Sequence, residues 1–115
     1  MSDRIAYKIL LADELEALEA DGIFAGAPID LADGYIHMST LAQLAETLAK
    51  HFTGKANLQI VAVDLDALGD RLRWECSRRG DLFPHLYGPL GLDVVIAYGP
   101  LEFDEDGSIR LPVAG

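Results

Sequence analysis

The sequence has a single cysteine, no long apolar run and no signal-like start, and each of these features excludes a class of protein. One cysteine, Cys76, excludes an intramolecular disulfide and suits a reducing compartment. The stretch MSDRIAYKIL has no apolar signal core, and no apolar run reaches the roughly 18 residues of a membrane span. We therefore expect a cytoplasmic protein with no membrane partner.

Positive charge is scarce and unevenly distributed. The 115 residues include 19 acidic and 9 basic side chains, for a formal charge of −10. Such a field repels the phosphates of duplex nucleic acid. Four arginines nevertheless fall between Arg71 and Arg79. This basic patch predicts a site for a small anion, and the alternative is that its arginines pair with neighbouring carboxylates.

The common nucleotide and metal motifs are also missing. No GxGxxG follows a strand-like segment and no GxxxxGK[ST] occurs, which excludes Rossmann dinucleotide sites and P-loops. The histidines His37, His51 and His85 lie 14 and 34 residues apart, without the spacing of zinc ligands. We therefore expect no bound metal.

Hydrophobic periodicity predicts a single α+β domain over residues 1–115, with its core at about 4–112. Two main helices are expected, at Ala12–Asp21 and over about 41–52, which is too few for a doubly wound sheet. A mixed, mostly antiparallel sheet of about five or six strands fits better. The expected strand segments are RIAYKIL, YIHMS, NLQIVAVDL, RLRWE, VVIAYGPLEF and SIRL.

Two segments are predicted to be loops, and one helix start has a recognisable cap. Ala27–Gly34 is broken by a proline and a glycine, and Cys76–Asp93 by several of each. Thr40 and Gln43 have the spacing of a capping box ahead of the second helix.

The segment GYIHMST places polar side chains on one face of a short strand. Tyr35, His37 and Ser39 alternate, so they project to the same side, just before a helix N-terminus that favours anions. We predict that His37 is catalytic and that Ser39 and Thr40 bind ligand. The alternative is that the hydroxyls only cap the helix and His37 bonds a neighbouring loop.

The segment RWECSRRG supplies a second group of candidates. Arg73 and Glu75 share one strand face, and Trp74 lies on the other. We predict that Glu75 is catalytic, as a general base or as the partner of a ribose hydroxyl, and that Trp74 and Arg78 contact ligand. The alternative is a solvated strand face of alternating charge.

The segment LFPHLYGPL is stiffened by Pro84 and Pro89, which favour extended backbone before them. Phe83, His85 and Tyr87 then project to one side with little freedom to lose on binding. We predict that His85 is catalytic and that Phe83 and Tyr87 hold a flat ring. The alternative is a rigid crossover whose aromatic side chains fill space.

The blocks YKIL, DLADGYIHMST, VDLDALGDRLRWE and FPHLYGPL resemble the small bacterial family catalogued as domain of unknown function 952, from Ile5 to about Leu101. That family looks like a reduced relative of the ADP-ribosyltransferase superfamily and is similar in layout to the tRNA 2′-phosphotransferases, which use NAD. His37, in IHMS, matches the histidine of their Val-His-Leu-Ser block. Lys8 stands where their first block has histidine.

The resemblance implies an ADP-ribosyltransferase-like fold and NAD or an ADP-ribose compound as ligand, with Lys8 contacting phosphate or ribose. We therefore expect a small anionic, ring-bearing ligand and an enzyme of ADP-ribosyl or phosphoryl transfer. One alternative is a non-catalytic module that binds a metabolite or a protein. Another is an unrelated hydrolase with His37 or His85 as base. The enzyme and its ligand site both require residues 37 and 85 to line a common hollow.

Overall fold

The computed structural model describes residues 4–76 and 80–112, which form α-helices, short 3-10 helices and antiparallel strands. The α-helices are α1 (Ala12–Asp21), α2 (Pro28–Asp33) and α3 (Leu44–His51), and 3-10 helices cover Leu41–Gln43, Leu65–Arg71 and Leu92–Val94. The strands are β1 (Ile5–Leu10), β2 (Ile23–Phe24), β3 (Ile36–His37), β4 (Gln59–Asp64), β5 (Leu72–Cys76), β6 (Leu82–Leu86), β7 (Leu90–Gly91), β8 (Val95–Pro100), β9 (Glu102–Phe103) and β10 (Ile109–Arg110).

The α+β class with mostly antiparallel strands is confirmed, although the described strands are distributed over four sheets instead of one. Two sheets have three strands, in the orders β1-β4-β8 and β3-β6-β5, and two pair only β2 with β7 and β9 with β10. No helix in the described part of the chain is both long and apolar enough to cross a bilayer.

The sheet β1-β4-β8 is covered on both faces, as the apolar run of β4 predicts. Ala6 and Leu10 of β1 belong to the larger hydrophobic cluster, whereas Tyr7 and Ile9 belong to the smaller one. Because side chains alternate along a strand, Lys8 lies on the same face as Ala6 and Leu10. A charged side chain is thereby placed at the edge of the main core.

The two three-stranded sheets are joined by one antiparallel bridge. Tyr7 and Ser39 exchange backbone hydrogen bonds, with N···O distances of 2.8 and 2.9 Å. This bridge fixes β1 beside the end of β3. It therefore brings Lys8 into the neighbourhood of His37.

The prediction of a loop at Cys76–Asp93 is wrong for β6 and β7. Proline removes a backbone donor and is ordinarily confined to strand edges, yet Pro84 lies in the middle strand of its sheet. The Pro84 carbonyl accepts from the N–H of Met38, at 3.1 Å, just past the end of β3. In an antiparallel strand the nitrogen and the carbonyl of one residue face the same side, so the nitrogen of Pro84 also faces β3. The missing N–H of the proline therefore removes no hydrogen bond to β5.

The prediction of a loop at Ala27–Gly34 is also wrong, because this segment contains α2. Pro28 occupies the first turn, where a missing N–H costs nothing. The N–H of Ala27 donates to Oδ2 of Asp30 at 2.8 Å, and Gly34 ends the helix in the left-handed region with φ of 89°. The proline and the glycine that suggested a loop are the start and stop of a short helix.

The start of the helical segment at residue 41 follows the predicted capping pattern. Oε1 of Gln43 accepts a hydrogen bond from the N–H of Thr40 at 3.0 Å. The first turn, Leu41–Gln43, is a 3-10 helix, and the α-helix proper begins at Leu44.

Candidate functional site

A cleft of about 570 Å³ opens where β1, α2, β3, α3 and β6 meet. Five of the residues predicted to form the site line it, namely Lys8, His37, Ser39, Phe83 and His85. Residues 37 and 85 therefore do share a common hollow.

The antiparallel pairing of β3 with β6 brings the two histidines together. His37 and His85 are directly opposite in the register, and their ring centroids lie 5.5 Å apart in an edge-on arrangement. Tyr35 stacks on His85 with a centroid distance of 4.1 Å and an interplanar angle of 25°. The Tyr35 ring also lies 4.7 Å from that of His37 and 5.3 Å from that of Tyr87. Tyr35, His37 and His85 therefore form an aromatic wall of the cleft, whereas Tyr87, which was also predicted to hold a ring, does not line it.

His37 is held between two carboxylates that α2 supplies. Its Nδ1 lies 2.6 Å from Oδ1 of Asp30, and its Nε2 lies 3.0 Å from Oδ2 of Asp33. The backbone N–H of His37 also donates to Asp30, at 3.0 Å. With both carboxylates ionised, both ring contacts are hydrogen bonds only when both ring nitrogens carry hydrogen. His37 is thus fixed by three contacts with residues of α2.

Asp30 is the buried centre of this cluster, with a relative exposure of 1%. Its carboxylate accepts from Nζ of Lys8, at 3.0 and 3.2 Å, as well as from His37 and Ala27. Burial by itself raises the pKa of Asp30. The hydrogen bond from His37, the charge of Lys8 and the two backbone N–H groups outweigh burial and lower that pKa to about 2.

Lys8 is buried beside Asp30, with a relative exposure of 6%. Burial lowers the pKa of Lys8, and the attraction of Asp30 opposes part of that effect. The amine that the sequence suggested as a phosphate or ribose contact is thus in an internal ion pair, at the wall of the cleft.

Glu75 connects His85 to Tyr87. Its Oε1 lies 2.8 Å from Nδ1 of His85 and accepts from the hydroxyl of Tyr87 at 2.8 Å. The hydrogen bonds from His85 and then from Tyr87 lower the pKa of Glu75. The same contact with Glu75 raises the pKa of Tyr87. An imidazole held by a carboxylate is an arrangement suited to general acid–base chemistry.

The remaining predicted residues take different positions. Oγ of Ser39 lies at the cleft and 2.7 Å from Oγ1 of Thr47. Thr40 is buried at the start of its helix and does not line the cleft. Trp74 packs against the main core, on the face of β5 opposite Glu75, so it is not brought into the cleft. Arg78 lies outside the described residues.

Sequence reasoning missed Asp30, Asp33 and Tyr35 as site residues. The two aspartates lie three residues apart in PIDLADG, so a helix there places both on one side, whereas the predicted loop does not. The helix signature of Pro28 and Gly34 was the available signal. The alternation of GYIHMST predicts that Tyr35 shares a face with His37 but gives no sign of its contact with His85.

Cations at the cleft come mainly from lysine. Lys50 is paired with Glu46 at 3.4 Å, and Lys55, which follows α3, also lines the cleft. Within residues 4–76 and 80–112, no group of three or more His, Cys, Asp or Glu side chains is placed to hold a metal ion.

Comparison with known proteins identifies relatives over nearly the whole chain. The family model described as "Protein of unknown function (DUF952)" matches residues 9–98. The crystal structure of protein CC0527 from Caulobacter crescentus is similar, with 48% sequence identity and a TM-score of 0.83 over 93% of this chain and 94% of that chain. The solution NMR structure of CC0527 gives 47% identity and a TM-score of 0.78 over 93% and 91% of the two chains. No curated protein matches.

Proposed function

The chain belongs to the DUF952 family of proteins of unknown function, and from its cleft we propose that it binds a small anionic ligand that carries a flat ring, of the NAD or ADP-ribose type. The observation that carries this proposal is the pairing of His37 with His85 beneath Tyr35, on an open cleft of about 570 Å³. A volume of this size lies in the range of small-molecule sites.

The aromatic residues of the cleft support a ring-bearing ligand. Tyr35, His37, Phe83 and His85 all line it, and three of these rings already contact one another. Aromatic faces and edges stack favourably on flat heterocycles. Because β3 and β6 fix the backbone beneath them, these rings lose little freedom when a ligand binds.

The cationic groups of the cleft support an anionic ligand. No described carboxylate lies within ion-pair distance of Lys55, unlike Lys50. Both ring nitrogens of His37 are engaged by Asp30 and Asp33, so His37 is not counted among the cations available to a ligand. The lining also carries the carboxylates of Glu14, Asp33, Glu46 and Asp81, so the proposal relies on Lys55 as the cation that attracts a phosphate group.

The two carboxylate–imidazole pairs extend the proposal to catalysis of ADP-ribosyl or phosphoryl transfer. His37 and His85 lie on the cleft, and each is held by at least one carboxylate. Such pairs supply the acid and base that group transfer to a hydroxyl requires. The reaction class comes from the family resemblance and is part of the proposal.

A second candidate is a non-catalytic binding module on the same fold. Lys8, which takes the place of an expected histidine, is committed to Asp30, and both ring nitrogens of His37 are in contact with carboxylates. Two of the residues that the resemblance makes functional are therefore engaged in internal contacts.

Ligand binding is tested by thermal shift and saturation-transfer NMR with NAD, ADP-ribose and 2′-phosphorylated nucleotides. A ligand at about 100 times its Kd raises the free energy of unfolding by about 2.7 kcal/mol, which gives a clear shift in Tm. The variant Phe83→Ala should weaken binding, whereas Phe103→Ala, at an exposed side chain outside the cleft, should not. No response to any of these ligands at millimolar concentration contradicts the proposal.

The double variant His37→Asn with Glu75→Gln separates the two candidates. An enzyme should retain the ligand and lose turnover of NAD, measured as release of nicotinamide or ADP-ribose. If the protein is a binding module, the wild type should show no turnover of NAD. The double variant should then bind the ligand either more weakly or as tightly as the wild type does.

A further inference from the structure

His85 presents one ring nitrogen to the cleft while the other is held. Its relative exposure is 5%, and Nδ1 lies 2.8 Å from Oε1 of Glu75. Nε2 makes no hydrogen bond with any described residue. Every fully buried side-chain nitrogen or oxygen among the described residues has a hydrogen-bond partner, so Nε2, which has none, is not fully buried. Since His85 lines the cleft, Nε2 is therefore accessible from the cleft.

Glu75 is itself fixed from a second direction. The hydroxyl of Tyr87 donates to Oε1 at 2.8 Å and approaches Oε2 at 3.1 Å. The guanidinium of Arg73 lies 5.0 Å from the centre of the Tyr87 ring. Because an ionised carboxylate only accepts, its contact with Nδ1 requires the hydrogen of neutral His85 to be on Nδ1. The lone pair is then on Nε2.

The other histidine of the cleft differs in this respect. Both ring nitrogens of His37 contact carboxylates, so neither has a lone pair available to a ligand while Asp30 and Asp33 hold it. His37 and His85 are opposite each other on adjacent strands, but only His85 has the geometry of a base.

We propose that His85 is the proton-transferring residue of the cleft and that Glu75 is its positioning residue. The group it acts on is a hydroxyl, either of the bound ligand or of water. The hydroxyl proton passes to Nε2, the electron pair of the O–H bond stays on the oxygen, and the imidazolium is stabilised by the carboxylate of Glu75 through Nδ1–H. Contact with a ligand hydroxyl rests on the proposed function, whereas the arrangement of His85 and Glu75 does not.

The arrangement is tested on the protein without ligand by ¹⁵N NMR of the imidazole rings, well above the titration range of histidine. Wild-type His85 should be in the Nδ1–H tautomer. In Glu75→Ala, Nδ1–H loses its acceptor and the population should move to the Nε2–H tautomer. Glu19→Ala is the matched control, because Glu19 also pairs with a tyrosine hydroxyl, that of Tyr98, outside the cleft.

Two results of this experiment would overturn the proposal. One is a wild-type His85 in the Nε2–H tautomer, and the other is a tautomer that stays the same in Glu75→Ala. Unchanged signals of His37 in that variant show that the fold is retained. Tyr87→Phe keeps the carboxylate and should leave the Nδ1–H tautomer in the majority.

Ligand contact is tested by adding ADP-ribose to the wild type and to Glu75→Ala. The Nε2 resonance of wild-type His85 should shift on binding, and the shift should be smaller in the variant. If ADP-ribose moves other cleft resonances but not Nε2, the proton-transfer role is wrong and the binding function stands. If ADP-ribose and NAD move no resonance, the proposed function fails while the tautomer result still decides the arrangement of His85.

Discussion

Asp30 shows how one buried carboxylate organises a site from distant parts of the chain. It accepts from Lys8 of β1, from His37 of β3 and from the backbone of Ala27. Each donor relieves part of the cost of burying the charge, and Asp30 in turn keeps Lys8 from being an isolated buried cation. Asp30 therefore links the stability of the fold to the geometry of the cleft.

Replacing Asp30 by Asn should destabilise the protein by about 3 to 5 kcal/mol, the cost of leaving a buried ion without its partner. Urea unfolding at neutral pH measures the change. The matched control is Asp66→Asn, which breaks an exposed ion pair with Arg4 and should cost less than about 1 kcal/mol. Equal losses in the two variants would contradict the central role of Asp30.

The lowered pKa of Asp30 predicts a loss of stability in acid. Because its pKa falls from 3.8 to about 2 on folding, the unfolded chain binds more protons between these values, and stability decreases as the pH falls. The contribution, about 2 kcal/mol, is complete above a pH of about 4 and is lost as the pH falls through about 2. Carboxyl ¹³C NMR of Asp30 checks the midpoint, and a titration near 4 would contradict the prediction.

Helix α2 has only six residues, yet it supplies several of the contacts that form the site. It supplies both carboxylates that hold His37, and its residues Pro28 and Ile29 line the cleft. A six-residue helix has little stability of its own, so its ends and its contacts with β3 must fix it. Its conformation and that of His37 therefore depend on each other.

Gly34→Ala tests this dependence, because Gly34 ends α2 with φ of 89°. An alanine there meets no neighbouring atom, so its cost, about 1 to 2 kcal/mol, comes from the left-handed backbone alone. Gly99→Ala is the control, since Gly99 also has open space around it but no positive φ. Urea unfolding measures both, and ¹⁵N signals of His37 should change only in Gly34→Ala.

The cleft forms where the two three-stranded sheets are held side by side. The bridge between Tyr7 and Ser39 joins them, and β6 lies between β3 and β5 in the second sheet. Lys8, His37 and His85 reach one hollow from strands of both sheets. The protein has a formal charge of −10, so a cation in this hollow attracts an anion against the field of the entire protein.

The effect of local charge can be separated from that of overall charge with Lys55→Gln and Arg110→Gln. Each substitution removes one positive charge and makes the formal charge of −10 one unit more negative. Lys55 lines the cleft, whereas Arg110 of β10 lies outside it and is paired with Asp104. We expect Lys55→Gln to weaken ADP-ribose binding by about 1 kcal/mol, or about fivefold in Kd, and Arg110→Gln to have little effect. Calorimetric titration measures both, and equal weakening would assign the effect to the overall field.

The elements with a strong periodic pattern were predictable. Helix α1 has the predicted bounds and ends at Gly22 with φ of 75°, and β4 is the central strand that its apolar sequence predicts. The errors fell on segments rich in proline and glycine. There Pro28 begins a helix and Pro84 lies inside a strand, and only the hydrogen bonds of neighbouring segments distinguish these roles from a loop.

Local periodicity is enough to predict the α+β class, the main helices and the faces on which His37, Glu75 and His85 lie, because it sets the direction of the side chains. It does not predict the partners of these side chains, which come from distant segments. Lys8 and Asp30 are separated by 22 residues, and the histidines meet through a strand pairing that no local pattern encodes. Hydrogen-bond partners depend on register and on contacts between sheets, and these are set by the packing of the whole chain.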